Sequence, residues 1–106
     1  MNKKLDALLD TLEDVKNPKE KVSVIHAAFE DNSRIVAFVE VDKSLSIEEK
    51  LDIAFVKTNS INEAWWNNTE VTVMFPDKSC RSTSTGDMVL IGKVKYKCEA
   101  VGWSVV

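Results

Sequence analysis

The chain has 106 residues, 44% of them apolar and 29% charged, so it can bury one hydrophobic core but not two. Its net charge of −3 argues against a strongly basic nucleic-acid binder and against a heavily acidic mimic of DNA. We therefore predict a single domain. Residues 1–45 would supply a helix and a β-hairpin, and residues 46–106 a helix, a tryptophan-containing loop and C-terminal strands.

The first predicted element is an amphipathic helix over residues 3–16. Its apolar residues recur at helical spacing, and Asn17-Pro18 ends the pattern. Acidic residues interrupt the apolar stretch, which is not typical of a signal peptide, and no segment reaches the roughly 18 apolar residues of a membrane span. We therefore expect a cytoplasmic protein without membrane contact, in which Cys80 and Cys98 stay reduced.

A β-hairpin and a second helix follow. Residues 21–30 and 34–41 are rich in β-branched and aromatic side chains, and the polar residues between them favour a tight turn. Ser46 and Glu49 then form a capping-box pattern that predicts a helix over about 46–58.

Two adjacent tryptophans, Trp65 and Trp66, follow a further capping-box pattern over residues 60–63, which predicts a short helical turn. Neighbouring side chains in a regular element point in different directions. We expect one tryptophan to be buried and the other partly exposed, where it could anchor a partner.

The C-terminal third reads as a series of short strands separated by turn residues. The predicted strands span residues 71–75, 88–91, 94–99 and 102–106. The whole pattern predicts an α+β fold, in which two main helices cover an antiparallel sheet that could be barrel-like.

Several short motifs in this region resemble a known group of sequences. They are Thr58-Asn59-Ser60-Ile61, Trp65-Trp66, Arg81-Ser82-Thr83-Ser84-Thr85-Gly86-Asp87-Met88-Val89, Tyr96 and Gly102-Trp103. Over roughly residues 50–106 the chain resembles an uncharacterised family of small phage and mobile-element proteins with an RSTSxGD segment, and is similar to YodL-like domains. Thr85 and Trp103 depart from the valine and phenylalanine usual there. The resemblance implies a compact domain of phage or mobile-element origin, in the host cytoplasm if phage-encoded, and transfers no catalytic residue.

Residues 81–87 allow two interpretations. They could form the turn that sets the register of the next strand, with Arg81 paired to Asp87. They could instead bind an anion through Arg81, the hydroxyls of Ser82 and Ser84, and backbone amides. The glycines and lysine of a phosphate-binding P-loop are absent from the sequence.

The remaining candidates for chemistry are few. Lys93, Lys95 and Lys97 share one face of the predicted strand. This face could be solvated, could be an edge protected by lysines, or could be a basic stripe that contacts phosphates. The single histidine, His26, lies in an apolar run, and Cys80 stands beside Arg81, which could lower its thiol pKa. No nucleophile motif and no zinc spacing is present, so we expect no enzyme, no metal and no cofactor.

The sequence favours a non-enzymatic interaction module that binds a host or phage protein through the tryptophan loop and the loop over residues 78–87. The candidate binding residues are Trp65, Trp66, Arg81, Ser82, Ser84 and Asp87. The alternative is a nucleic-acid-associated module that uses Arg81 and the three lysines of residues 93–97. The sequence leaves the oligomeric state open.

Overall fold

A six-stranded antiparallel sheet dominates the computed structural model, which describes residues 18–60, 63–75, 77 and 79–106. The order of strands across the sheet is β3-β2-β1-β4-β5-β6. Within the described residues the elements are β1 (Lys19–His26), β2 (Arg34–Asp42), α1 (Ile47–Lys57), a 3-10 turn (Trp65–Asn67), β3 (Val71–Val73), β4 (Met88–Ile91), β5 (Val94–Cys98) and β6 (Trp103–Val105).

The predicted hairpin is confirmed, since β1 and β2 pair antiparallel from Lys19↔Asp42 to His26↔Arg34. Its first strand is shorter than predicted. The chain leaves the ladder after His26 because the amides of Ala27 and Ala28 donate to the side chain of Asp87 instead of to a neighbouring strand.

The predicted second helix is also confirmed as α1. The Ser46 hydroxyl accepts from the amide of Glu49, and the Glu49 carboxylate accepts from the Ser46 amide, which closes the capping box. Leu51 and Ala54 are buried in the core on one face of the sheet, together with Trp65. In the ranges described, no helix is long and apolar enough to cross a membrane.

Residues 79–87, which we call the crossing segment, connect the two sides of the sheet. They follow β3 at one edge and lead into β4, which pairs with β1 in the middle. On the way the segment meets the end of α1, where the Thr83 amide donates to the carbonyl of Thr58. This route brings the crossing segment to the His26 end of β1.

The predicted fold class is wrong in two respects. The described chain is mostly antiparallel sheet with one α-helix, so it is not an α+β fold with two main helices; the helix predicted over residues 3–16 lies outside the described residues. The sheet is also not a barrel, because β3 and β6 end it on opposite sides. Each of these strands has three residues, and such short edges cannot supply the tilt and stagger that closure requires.

A glycine substitution tests the junction between the crossing segment and β1. Gly86 has φ +96°, and a Cβ there would lie 3.1 Å from the Cβ of Ala28; Gly92 has φ +59° and open space around it. Gly86→Ala should lower the free energy of unfolding by about 2 kcal/mol, because strain and crowding add. Gly92→Ala should cost about 1 kcal/mol, the ordinary penalty for left-handed backbone. Urea denaturation measures both, and equal losses would contradict the close approach to Ala28.

Candidate functional site

The Asp87 carboxylate is the centre of the polar cluster at the start of β4. Its side chain is fully buried. One oxygen, Oδ1, accepts from the amides of Ala27 and Ala28 at 2.8 and 2.9 Å, and Oδ2 accepts from the amide of Ser84 at 2.8 Å. The Arg81 guanidinium donates to both oxygens, at 2.8 and 2.7 Å. The carboxylate therefore ties the end of β1 to the crossing segment.

Arg81 bridges two carboxylates. Besides Asp87, its Nε and Nη2 donate to Glu30 at 3.1 and 2.7 Å, and its guanidinium carbon lies 4.9 Å from the centre of the Phe29 ring. The hydrogen bond to Asp87 is the main cause that raises the pKa of Arg81, and the hydrogen bond from Arg81 is the main cause that lowers the pKa of Glu30. The predicted Arg81–Asp87 pair is thus present, and its guanidinium charge is already balanced.

Burial alone would raise the pKa of the Asp87 carboxyl. The hydrogen bonds from Arg81 and from the amides of Ala28, Ser84 and Ala27 outweigh that effect and hold the pKa at about 2. Asp87 is therefore ionised at neutral pH although it is buried, and it acts as an acceptor for the surrounding donors.

A second set of hydrogen bonds runs inward from the crossing segment. The hydroxyls of Thr58 and Thr83 lie 2.7 Å apart, Nε2 of His26 lies 3.0 Å from the Thr83 hydroxyl, and Nδ1 of His26 lies 3.6 Å from the Cys80 sulfur. His26, Thr58 and Thr83 are buried, whereas Cys80 is half-buried.

Arg81 acts to lower the thiol pKa of Cys80, as expected, but the net shift of that pKa is upward. Burial raises the pKa of Cys80, and the opposing effects of Arg34 and Arg81 are smaller. Sequence adjacency did not show that two carboxylates already engage the guanidinium. Cys80 and Cys98 are both free thiols in the structure.

The prediction of one buried and one partly exposed tryptophan is confirmed. Trp65 is 1% exposed and Trp66 is half-buried. The Trp65 amide donates to the Ser60 hydroxyl, and its indole nitrogen donates to the carbonyls of Cys80 and Arg81, both at 3.1 Å. Trp65 is therefore a support for the crossing segment and is not accessible to a partner.

Ser82 and Ser84 also serve the crossing segment. The Ser82 hydroxyl accepts from the amide of Ser60 at 3.0 Å, and the Ser84 amide donates to Asp87. The structure thus brings Trp65, Arg81, Ser82, Ser84 and Asp87 into one cluster, while Trp66 packs edge-on against Trp65 and Phe75. These contacts match the interpretation of residues 81–87 as the turn that leads into β4.

Lys95 and Lys97 of β5, together with Lys93 in the turn before it, are exposed to solvent. They do not protect an edge, because β6 pairs with β5 along Tyr96↔Val105, Lys97↔Ser104 and Cys98↔Trp103. Since Arg81 is held by Glu30 and Asp87, the basic stripe reduces to these lysines.

Sequence reasoning missed a groove of about 420 Å³ between α1 and β6. Polar and apolar atoms contribute similarly to its surface, and its lining residues are Ile47, Glu48, Leu51, Tyr96, Val101, Gly102, Trp103 and Val105. The sequence did contain one signal for this groove: apolar residues continue through the short last strand, and the side chains of an edge strand have a neighbouring strand on one side only.

Trp103 separates this groove from a second depression of about 250 Å³, which includes Asp52, Phe55 and Glu99. The Trp103 indole nitrogen donates to the Asp52 carboxylate at 3.2 Å, and its ring meets Phe55 edge-on with the ring centres 6.4 Å apart. These contacts hold Trp103 as a partition between two compartments.

Comparison with known proteins does not place the chain in a family. No protein-family model matches it, and neither the curated proteins nor the solved structures include a significant match. The resemblance to small phage and mobile-element proteins and to YodL-like domains therefore stays a prediction, and the candidate sites must be judged on their geometry.

Removing the charge of Asp87 tests its central role. Asp87→Asn should lower the free energy of unfolding by about 3 kcal/mol, because a buried ion pair then loses one partner. Asp77→Asn is the matched control: the Asp77 side chain is 66% exposed and lies 3.8 Å from Arg34, so its loss should cost less than about 0.5 kcal/mol. Chemical denaturation checks both values, and a similar small effect at both positions would contradict the assignment.

The low pKa of Asp87 also predicts how stability depends on pH. The pKa is about 2 in the folded protein and 3.8 when unperturbed, so its contribution is present above pH 3.8 and is lost as the pH falls towards 2. The loss should be about 2 kcal/mol. Unfolding free energies of the wild type and Asp87→Asn, measured between pH 5 and pH 2, should converge by that amount; parallel curves would refute the prediction.

Proposed function

We propose that the protein is a non-enzymatic interaction module that binds an extended segment of a partner protein by strand addition to β6. The observation that carries the proposal is that β6 is the last strand of the sheet within the described residues and lies directly beside the groove against α1. In strand addition, backbone hydrogen bonds supply affinity, and pockets for alternate side chains supply specificity.

The backbone of β6 offers hydrogen bonds on its outer side. The Glu99 amide donates to the carbonyl of Gly102, and the Val106 amide donates to the carbonyl of Lys95. In an antiparallel ladder the bonded residues alternate, so Trp103 and Val105 direct their N–H and C=O groups away from β5. A partner strand would pair with these two residues.

The side chains of the partner strand would alternate between the sheet faces. Trp103 and Val105 lie opposite Cys98 and Tyr96, and so share the sheet face that carries α1. Partner side chains two positions apart on that face would lie roughly 7 Å from each other. The compartments on either side of Trp103 would receive them.

The charges around the groove define the chemistry of the partner. The first compartment has one acidic residue, Glu48, whereas the second has two, Asp52 and Glu99. We therefore assign an extended segment with an apolar residue for the first compartment and Lys or Arg two positions away for the second. A second copy of the chain fits less well, because its own β6 has no basic residue and pairing would bring the acidic groups of both copies together.

The partner we propose is a protein, as the sequence favours, but it binds at β6 and not at the tryptophan loop or the crossing segment. Trp65, Arg81 and Asp87 use their polar groups internally. Binding of nucleic acid stays an alternative hypothesis that rests on the exposed Lys93, Lys95 and Lys97 without a contribution from Arg81. A host or phage source of the partner stays a prediction.

A displayed library of short linear peptides, selected on the folded protein, tests the proposal. Enriched peptides should carry an apolar residue two positions from Lys or Arg. When they bind, hydrogen exchange should slow at the amides of Trp103 and Val105, because these donate to the added strand. Val105→Pro removes one outward amide and should weaken binding about tenfold, the value of roughly one backbone hydrogen bond.

Two variants of α1 distinguish a local effect in the groove from the general effect of adding a charge to the helix. Ile47→Lys places a charge in the groove and should also weaken binding about tenfold. Val56 is on the same helix, is 58% exposed and does not line the groove, so Val56→Lys should leave the affinity unchanged. Peptides that bind Ile47→Lys as well as the wild type, or that leave exchange at Trp103 and Val105 unchanged, would overturn the proposal.

A further inference from the structure

The hydrogen bonds around His26 determine which atom donates and which accepts in each bond. The Thr58 hydroxyl donates to the carbonyl of Ala54 at 2.7 Å, so its oxygen accepts from the Thr83 hydroxyl at 2.7 Å. Because the single Thr83 proton is used there, the Thr83 oxygen accepts from Nε2 of His26 at 3.0 Å. His26 therefore carries its proton on Nε2.

This tautomer leaves Nδ1 of His26 as an acceptor directed at a thiol. His26 is 0% exposed, and within the described residues its Nδ1 lies 3.6 Å from the Cys80 sulfur. Burial lowers the pKa of His26 against the opposing effect of Asp87, so the ring is neutral and able to accept a proton. Glu30 also favours the protonated ring, whereas Arg81 and Arg34 disfavour it.

We propose that Cys80 is a nucleophilic thiol that His26 activates as general base, and that it is a modification site for small disulfides. Cys80 is half-buried, whereas Cys98 is buried and its thiol faces the carbonyl of Glu99. The resting group is the neutral thiol, and deprotonation accompanies attack.

The reaction balances without another reactant. The Cys80 proton moves to Nδ1 of His26 as the Cys80 sulfur attacks one sulfur of the disulfide. The new S–S bond forms, the original S–S bond breaks, and the departing thiolate takes the proton from His26. Asp87, whose Oδ2 lies 3.9 Å from Nε2, would stabilise the transient imidazolium.

The rate of mixed-disulfide formation with glutathione disulfide at pH 7, followed by mass spectrometry of each cysteine, tests this inference. Cys80 in the folded protein should react faster than Cys98, and at least about tenfold faster than Cys80 in the urea-unfolded chain, a modest effect for a positioned base. A slower reaction of Cys80 in the folded protein would overturn the proposal without any variant.

Two sets of variants distinguish base catalysis by His26 from an effect of how exposed the Cys80 thiol is. His26→Gln keeps a polar group near Thr83 but removes Nδ1, and should reduce the Cys80 rate about tenfold or more. Thr83→Val removes the acceptor that fixes the tautomer and should also slow the reaction, while Thr83→Ser keeps the hydroxyl and should preserve the rate. If a folded His26→Gln protein reacts as fast as the wild type, His26 is not the base.

Discussion

The ionised carboxylate of Asp87 is the group on which the arrangement of this sheet depends. A buried carboxylate without partners would cost several kcal/mol, so its amide and guanidinium donors must all be in place when it is buried. Those donors belong to the end of β1 and to the crossing segment. The ion pair therefore specifies how β4 is brought to β1, which is the step that unites the first hairpin with the C-terminal strands.

Hydrogen bonds beside this ion pair bring together the motifs on which the predicted family resemblance rests. Thr58 and Ser60, from one motif, bond to Thr83 and Ser82 from the other, and Trp65 caps the carbonyls at the start of the crossing segment. The role that the structure shows for these residues is to hold the backbone of the crossing segment in place. The resemblance itself stays a prediction, and the support that these residues give to the backbone does not depend on it.

Local signals predicted the local elements well. The capping box of Ser46 and Glu49 defines the start of α1 because both partners lie within one helical turn. The end of β1 after His26 was not predictable in this way, since its cause is Asp87, about sixty positions later. The order of strands and the open sheet depend likewise on long-range pairing, and the groove beside β6 exists only after α1 and β6 have met.

The position of β6 connects stability with binding. An edge that accepts another strand must be available and yet held in a fixed place, because mobility of the edge would add an entropic cost to association. The strand has only three residues, so its ladder to β5 is short. Trp103 supplies further support through Asp52 and Phe55 of α1. Trp103 thus separates the two compartments and also anchors the edge strand. Both the selectivity and the rigidity of the proposed binding site therefore depend on this one residue.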